Sequence, residues 1–203
     1  MKIAVIGASG NAGSRIVAEL ARRGHAITAI ARSPDRITPR PGVTATRGDV
    51  VDQGSLTRLL AGHDVAVSSV HFLDSDPVKL IAAAGDSKVG RYLVVGGAGS
   101  LEVAPGVRLV TTPGFPVAYK AEAEKGAAFL DLQAREKQLN WTFLSPSALF
   151  MVGERTGKFR LGTDQLLTAA DGKSWISFED FAVALADEIE RPAHIRKRFT
   201  VGY

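Results

Sequence analysis

No cysteine occurs anywhere in the 203 residues. That absence excludes a structural disulfide, a thiolate nucleophile and a cysteine-ligated metal, and it suits a reducing compartment. Long apolar runs are missing as well. None reaches the roughly 18 residues that a membrane-spanning helix requires. The first apolar stretch, Ile3 to Ile6, is too short for the core of a signal peptide. A soluble, cytoplasmic protein is expected. The histidines His25, His63, His71 and His194 are scattered, with no spacing that would hold a metal. Neither sign of charge dominates: 25 Lys and Arg face 21 Asp and Glu, for a net +4. The one tight basic cluster, Arg196-Lys197-Arg198, runs into strand-like Phe199-Thr200-Val201 and reads as a solvated strand edge. Without a continuous basic face, no nucleic-acid binding is expected.

What is present is an alternation of short β-branched runs and longer helix-like stretches. Ile3 to Ile6 reads as a first strand, followed by a helix from Asn11 to Arg23 with Ile16, Val17 and Leu20 on one face. Further strands are expected at Ala26 to Ala31, Val43 to Arg47, Val65 to Val70, Tyr92 to Val95 and Trp141 to Leu144. Between them, Leu56, Leu59 and Leu60 mark a short helix, Asp76-Pro77 opens another, and a long one runs from about Ala118 to Gln138. Ser177 with Asp180 resembles a helix cap before Phe181 to Ile189, and Phe199 to Val201 is a candidate last strand. Such alternation implies an α/β fold, a Rossmann-type doubly wound parallel sheet in the order 3-2-1-4-5-6 with a small C-terminal extension. Residues 1–203 read as one domain, with substrate-side elements mainly in 99–118 and 146–178.

In such sheets ligands lie beyond the carboxyl ends of the strands. There the sequence places Gly7-Ala8-Ser9-Gly10-Asn11-Ala12-Gly13, a GxxGxxG turn between the first strand and its helix. Glycines let main-chain N–H groups approach a pyrophosphate, and the helix start adds unpaired donors and partial positive charge. Gly7, Ser9, Gly10, Asn11, Ala12 and Gly13 are therefore candidate contacts to a dinucleotide. Where an NAD-binding strand would end in an acid, this one ends Ala31-Arg32-Ser33. Arg32, Ser33 and Arg36 suit a 2′-phosphate, so NADP(H) is favoured over NAD(H), although Asp35 could reach a ribose. Asp49 and Val50 follow the third strand beside the expected adenine. Ser68, Ser69 and Val70 end the fourth strand near the point where the sheet order reverses.

The Lys2-Ile3-Ala4-Val5-Ile6-Gly7-Ala8-Ser9-Gly10 start, the Gly48-Asp49-Val50 turn and the Val94-Val95-Gly96-Gly97-Ala98-Gly99-Ser100 strand end resemble the atypical short-chain dehydrogenase/reductase proteins. Within that group the chain is most similar to the NAD(P)-binding NADH-flavin reductases, relatives of biliverdin reductase B and of the NmrA-like proteins. Asn140 to Ser147 and Ser177 to Ala182 carry the same resemblance. It implies cofactor contacts at Gly97 and at Pro146 and Ser147, the latter two through the backbone. It also implies a substrate-facing hydroxyl at Ser100. One departure matters. The superfamily's Tyr-x-x-x-Lys pair is absent: Gly96 follows Tyr92 and Ala123 follows Tyr119 at that spacing, and Lys120 would point about 100° away on a helix.

The expected activity is an NAD(P)H-dependent hydride transfer to a flavin, a quinone or a similar planar acceptor, FMN being a substrate rather than a bound group. Such acceptors need less proton chemistry from the protein than a ketone does. Ser100, Tyr119 and His71 are candidate catalytic groups, and Phe115, Phe150, Met151 and Phe159 a candidate apolar wall. The alternative is an NmrA-like sensor that binds NADP(H) without turnover. A sugar-nucleotide epimerase is disfavoured by the short segment after the sixth strand. No metal, membrane or nucleic-acid partner is expected, and the chain is expected as a monomer or homodimer.

Overall fold

The computed structural model describes residues 1–203. In chain order the main elements are β1 (Lys2–Ile6), α1 (Asn11–Arg22), β2 (Ala26–Ala31), β3 (Val43–Arg47), α2 (Gln53–Leu60), β4 (Val65–Ser68), α3 (Pro77–Asp86) and β5 (Arg91–Val95). There follow the small pair β6 (Glu102–Ala104) and β7 (Val107–Arg108), then α4 (Val117–Gln133), β8 (Trp141–Pro146), β9 (Leu149–Met151), β10 (Arg160–Gly162), β11 (Trp175–Ser177), α5 (Phe178–Glu190) and β12 (Lys197–Gly202). No helix is long and apolar enough to cross a membrane.

The main sheet has eight strands in the order β10-β12-β8-β5-β4-β1-β2-β3. Its core, β3-β2-β1-β4-β5-β8, is the doubly wound order expected from the alternation. The C-terminal extension is more of the same sheet: β12 joins β8 in parallel, and β10 closes the edge antiparallel. The order reverses at β1, whose Ile3 to Ile6 pairs with β2 on one side and β4 on the other. Both neighbours leave the carboxyl end of β1 open between their loops.

Alternation along each strand sorts the side chains into two cores. Ile3 and Val5 of β1 face α1 and α5, joining Ile16, Leu20, Phe181 and Leu185. Ala4 and Ile6 face the other way, toward Leu56 and Leu60 of α2, Leu80 of α3 and Phe129 of α4. Burial on both faces explains why these strands read as continuous apolar runs rather than as alternating ones.

Several boundaries differ from the sequence expectation. α4 ends at Gln133 rather than Gln138, because the Glu136 carboxylate accepts the N–H groups of Gln138 at 2.6 Å and Leu139 at 3.2 Å and turns the chain out of the helix. The fourth strand stops at Ser68. The basic cluster also needs a correction. Arg196 and Lys197 are exposed, but the Arg198 side chain is only 8% exposed: Nε donates to Asp164 at 2.9 Å and Nη1 to the Ser100 hydroxyl at 3.3 Å.

Candidate cofactor cleft

The glycine turn is built by close main-chain approach. Gly7 adopts φ +79°, and a Cβ there would lie 2.1 Å from the Ser69 carbonyl oxygen. The N–H groups of Gly7 and Ala8 both donate to the Ile30 carbonyl at the end of β2, at 3.0 and 3.1 Å. Gly10 donates to Gly7 at 3.0 Å, and a Cβ at Gly13 would lie 2.1 Å from that same Gly7 oxygen. Three strands and α1 thus converge on one bend with no room for a side chain at Gly7 or Gly13.

That bend feeds α1 directly. Gly10 caps the helix with no side-chain hydrogen bond, and no acidic residue stands in the first turn. The N–H groups of Asn11, Ala12 and Gly13 therefore have no intrahelical acceptor, and no carboxylate competes for them. The donors suit a diphosphate: main-chain amides, a helix terminus and a turn that a methyl group would fill. A nicotinamide dinucleotide fits this turn, with Ser9 and Asn11 at its rim.

Around the cleft, Arg32 and Ser33 are exposed just after β2 and Arg36 on the 3-10 turn that follows, Pro34–Arg36, and neither arginine enters an ion pair. Asp49 is half-buried; its Oδ1 accepts the Val51 N–H at 3.2 Å, so part of its acceptor capacity is spent on its own turn. Val50 packs on the α2–α4 core. Ser68 is buried, Ser69 donates to Ile6 at 2.9 Å, and Val70 touches the Gly7 niche. Gly97 is half-buried at the end of β5. Pro146 and Ser147 are buried at the end of β8, and the Ser147 hydroxyl donates to the Val201 carbonyl at 3.0 Å. Ser147 can reach a ligand only through its main chain.

The three candidate catalytic groups do not converge equally. Ser100 is 3% exposed, with Arg198 donating to its hydroxyl, so it faces the interior. Tyr119 is 68% exposed on the first turn of α4. His71 is 82% exposed, in the loop after β4, with Nδ1 3.4 Å from Glu122 Oε1 of α4. Glu122 also accepts the N–H groups of Phe72 at 2.7 Å and Leu73 at 2.9 Å. Sequence reasoning passed over Glu122, although it lies three residues after Tyr119, on the same side of one helix. The position where the superfamily places lysine is Ala123, packed so tightly on the loop after β5 that a Cβ at Gly99 would lie 2.8 Å from its methyl.

Of the candidate wall, Phe150 packs on Phe178 at 4.4 Å and Phe181 at 4.7 Å between ring centres, and Phe159 joins the same core. Phe115 is half-buried, and Met151 remains half exposed. A separate cleft of about 680 Å³ lies at the amino ends of β5 and β8, lined by Val78, Ile81, Arg135 and Leu139. It is at the wrong edge of the sheet for the glycine turn.

The model of a family described as NAD(P)H-binding matches residues 7–192. YwnB of Bacillus subtilis, an uncharacterised protein, is 40% identical over 99% of this chain and 98% of its own. A candidate epimerase from Bacteroides thetaiotaomicron superposes with a TM-score of 0.95 at 36% identity, over 100% of this chain and 96% of that one. A candidate NADH-flavin reductase from Streptococcus pneumoniae is also 36% identical, with a TM-score of 0.82 over 100% and 99% of the two chains.

Proposed function

The chain belongs to the NAD(P)H-binding family of atypical short-chain dehydrogenase/reductase proteins, and from that premise we propose that it is an NADPH-dependent reductase of flavins, quinones or similar planar acceptors. The observation that carries this reading is the glycine turn at Gly7 to Gly13, which feeds a helix start with no side-chain cap and no acid in its first turn, with Arg32 and Arg36 unpaired where a ribose-binding acid would stand. When bound, the nicotinamide supplies the hydride.

The chain's own residues do the rest. Amides of the turn and of the first turn of α1 bind the diphosphate. Arg32 and Arg36 hold the 2′-phosphate as charge-assisted donors. The main chain at Pro146 and Ser147 orients the carboxamide, since the Ser147 side chain is committed to Val201. Tyr119 and His71 line the open side, where the acceptor enters. Ala123 in the lysine position leaves no cation to activate Tyr119, which favours acceptors whose reduction does not depend on an activated tyrosine. The name of the Streptococcus relative agrees with this reading, whereas that of the Bacteroides relative does not.

Calorimetry tests the cofactor. NADPH is expected to bind about 10- to 100-fold more tightly than NADH, the worth of one or two hydrogen bonds to a charged group. Arg32→Ala is expected to erase most of that gap, and equal affinities in the unmodified protein refute the preference. Oxidation of NADPH with FMN, riboflavin and quinones tests the reaction. The missing lysine supports a second reading, an NADP(H) sensor. Tight binding with no turnover on any acceptor selects it.

A further inference from the structure

The loop after β4 carries an arrangement that cofactor binding does not require. Phe72 is 8% exposed and inserts beside Gly126 of α4, where a Cβ would lie 2.7 Å from its ring, and it meets Phe129 at 5.7 Å and Phe143 at 6.4 Å between ring centres. Glu122 takes the N–H groups of Phe72 and Leu73 on its two carboxylate oxygens. The His71 carbonyl accepts from the Ser75 hydroxyl at 2.9 Å and from the Asp74 N–H at 3.2 Å. The backbone from the His71 carbonyl to Leu73 is thus pinned, while the His71 side chain is 82% exposed. The ring follows directly on Ser69 and Val70, which abut Gly7. Its one charged neighbour is Glu122, on the Nδ1 side.

We propose that Glu122 is a positioning residue that fixes His71 as the proton donor to the reduced acceptor. This rests on the reductase reading above. The carboxylate, 3.4 Å from Nδ1, favours the neutral ring with hydrogen on that nitrogen and leaves Nε2 without a protein partner. The division of labour is that of a carboxylate holding an imidazole in one tautomer. The acceptor gains two electrons and one hydrogen as hydride. The proton that completes its reduction leaves Nε2 of the imidazolium, whose N–H bond breaks as the acceptor's O–H or N–H bond forms. The ring is left neutral with hydrogen on Nδ1, and solvent reprotonates Nε2 because the ring is open to water.

The test begins with the cofactor-free protein. Long-range ¹⁵N–¹H NMR at a pH where the ring is neutral reports which nitrogen carries the proton, and His71→Gln assigns the signal among four histidines. The expected result is hydrogen on Nδ1 of His71, lost in Glu122→Gln and kept in Glu122→Asp. Hydrogen on Nε2 in the unmodified protein, or a tautomer unmoved by Glu122→Gln, overturns the pairing. Should Glu122→Gln fail to fold, the unmodified protein and Glu122→Asp still decide it. In turnover with a quinone, His71→Gln is expected to lower kcat about 100-fold with NADPH affinity unchanged. An unchanged kcat overturns the donor role. No turnover on any acceptor by the unmodified protein overturns the reductase reading and the donor role together, while the tautomer still decides the pairing.

Discussion

At position 13 a single methyl group would press on the oxygen of Gly7, which stands 2.1 Å from where a Cβ would be. Gly13→Ala is therefore expected to push α1 off the turn, costing about 2 kcal/mol in a denaturant melt and weakening NADPH binding in the same variant. Glu19 behaves differently. It is 5% exposed on α1, and burial by itself would raise its pKa. Hydrogen bonds from Arg155, Arg22 and Arg23 outweigh that and hold the carboxyl far below the usual carboxylate range. Because the folded value is depressed, this stabilisation is complete above the unfolded value near 4.3 and drains away as pH falls below it. Glu19→Gln is expected to cost about 3 kcal/mol at neutral pH and to flatten the pH dependence of melting below about pH 4. The glycines were legible in the sequence because their chemistry is local. Glu19 was not, since Arg155 comes from 136 residues away, and no period along the chain announces it.

Helix ends carry the next level of information. Ser177 caps α5 as the sequence suggested, accepting the Asp180 N–H at 2.9 Å. Its hydroxyl also donates to the Glu154 carbonyl at 2.9 Å and meets the Tyr203 hydroxyl at 2.8 Å. Asp180 in turn takes the Gly157 N–H at 2.8 Å and the Thr156 and Tyr203 hydroxyls. One cap thereby fastens the 154–157 segment to the helix. Ser177→Ala is expected to lower stability by about 2 kcal/mol, the upper end for a lost cap, and to open that segment to limited proteolysis before global unfolding. The cap was readable from Ser177 and Asp180 alone, but its outer partners were not. The end of α4 at Gln133 is not legible in the sequence, because helical periodicity says nothing of Glu136 capturing two amides beyond it.

Across the whole molecule, protection should follow the sheet. β1, β4 and β5 are flanked on both sides and almost wholly buried, whereas β3 is an edge with three of five residues exposed. Native-state hydrogen exchange is expected to be slowest in β1, β4 and β5 and fastest in β3; a uniform pattern would contradict this ranking. The central strand order was legible because short crossovers of one hand leave few topologies. The outer part of the sheet was not, since the antiparallel return of β10 is set by contacts with β12, which comes later in the chain.

The place of β12 between β8 and β10 has a consequence for synthesis. The strands that flank it are made first, and until Lys197–Gly202 leaves the ribosome each presents a bare backbone edge. A nascent chain stalled before this segment would carry an unfilled slot in its sheet and would invite chaperone capture or pairing with a neighbouring chain. Closure of this part of the sheet therefore waits on the six residues Lys197–Gly202.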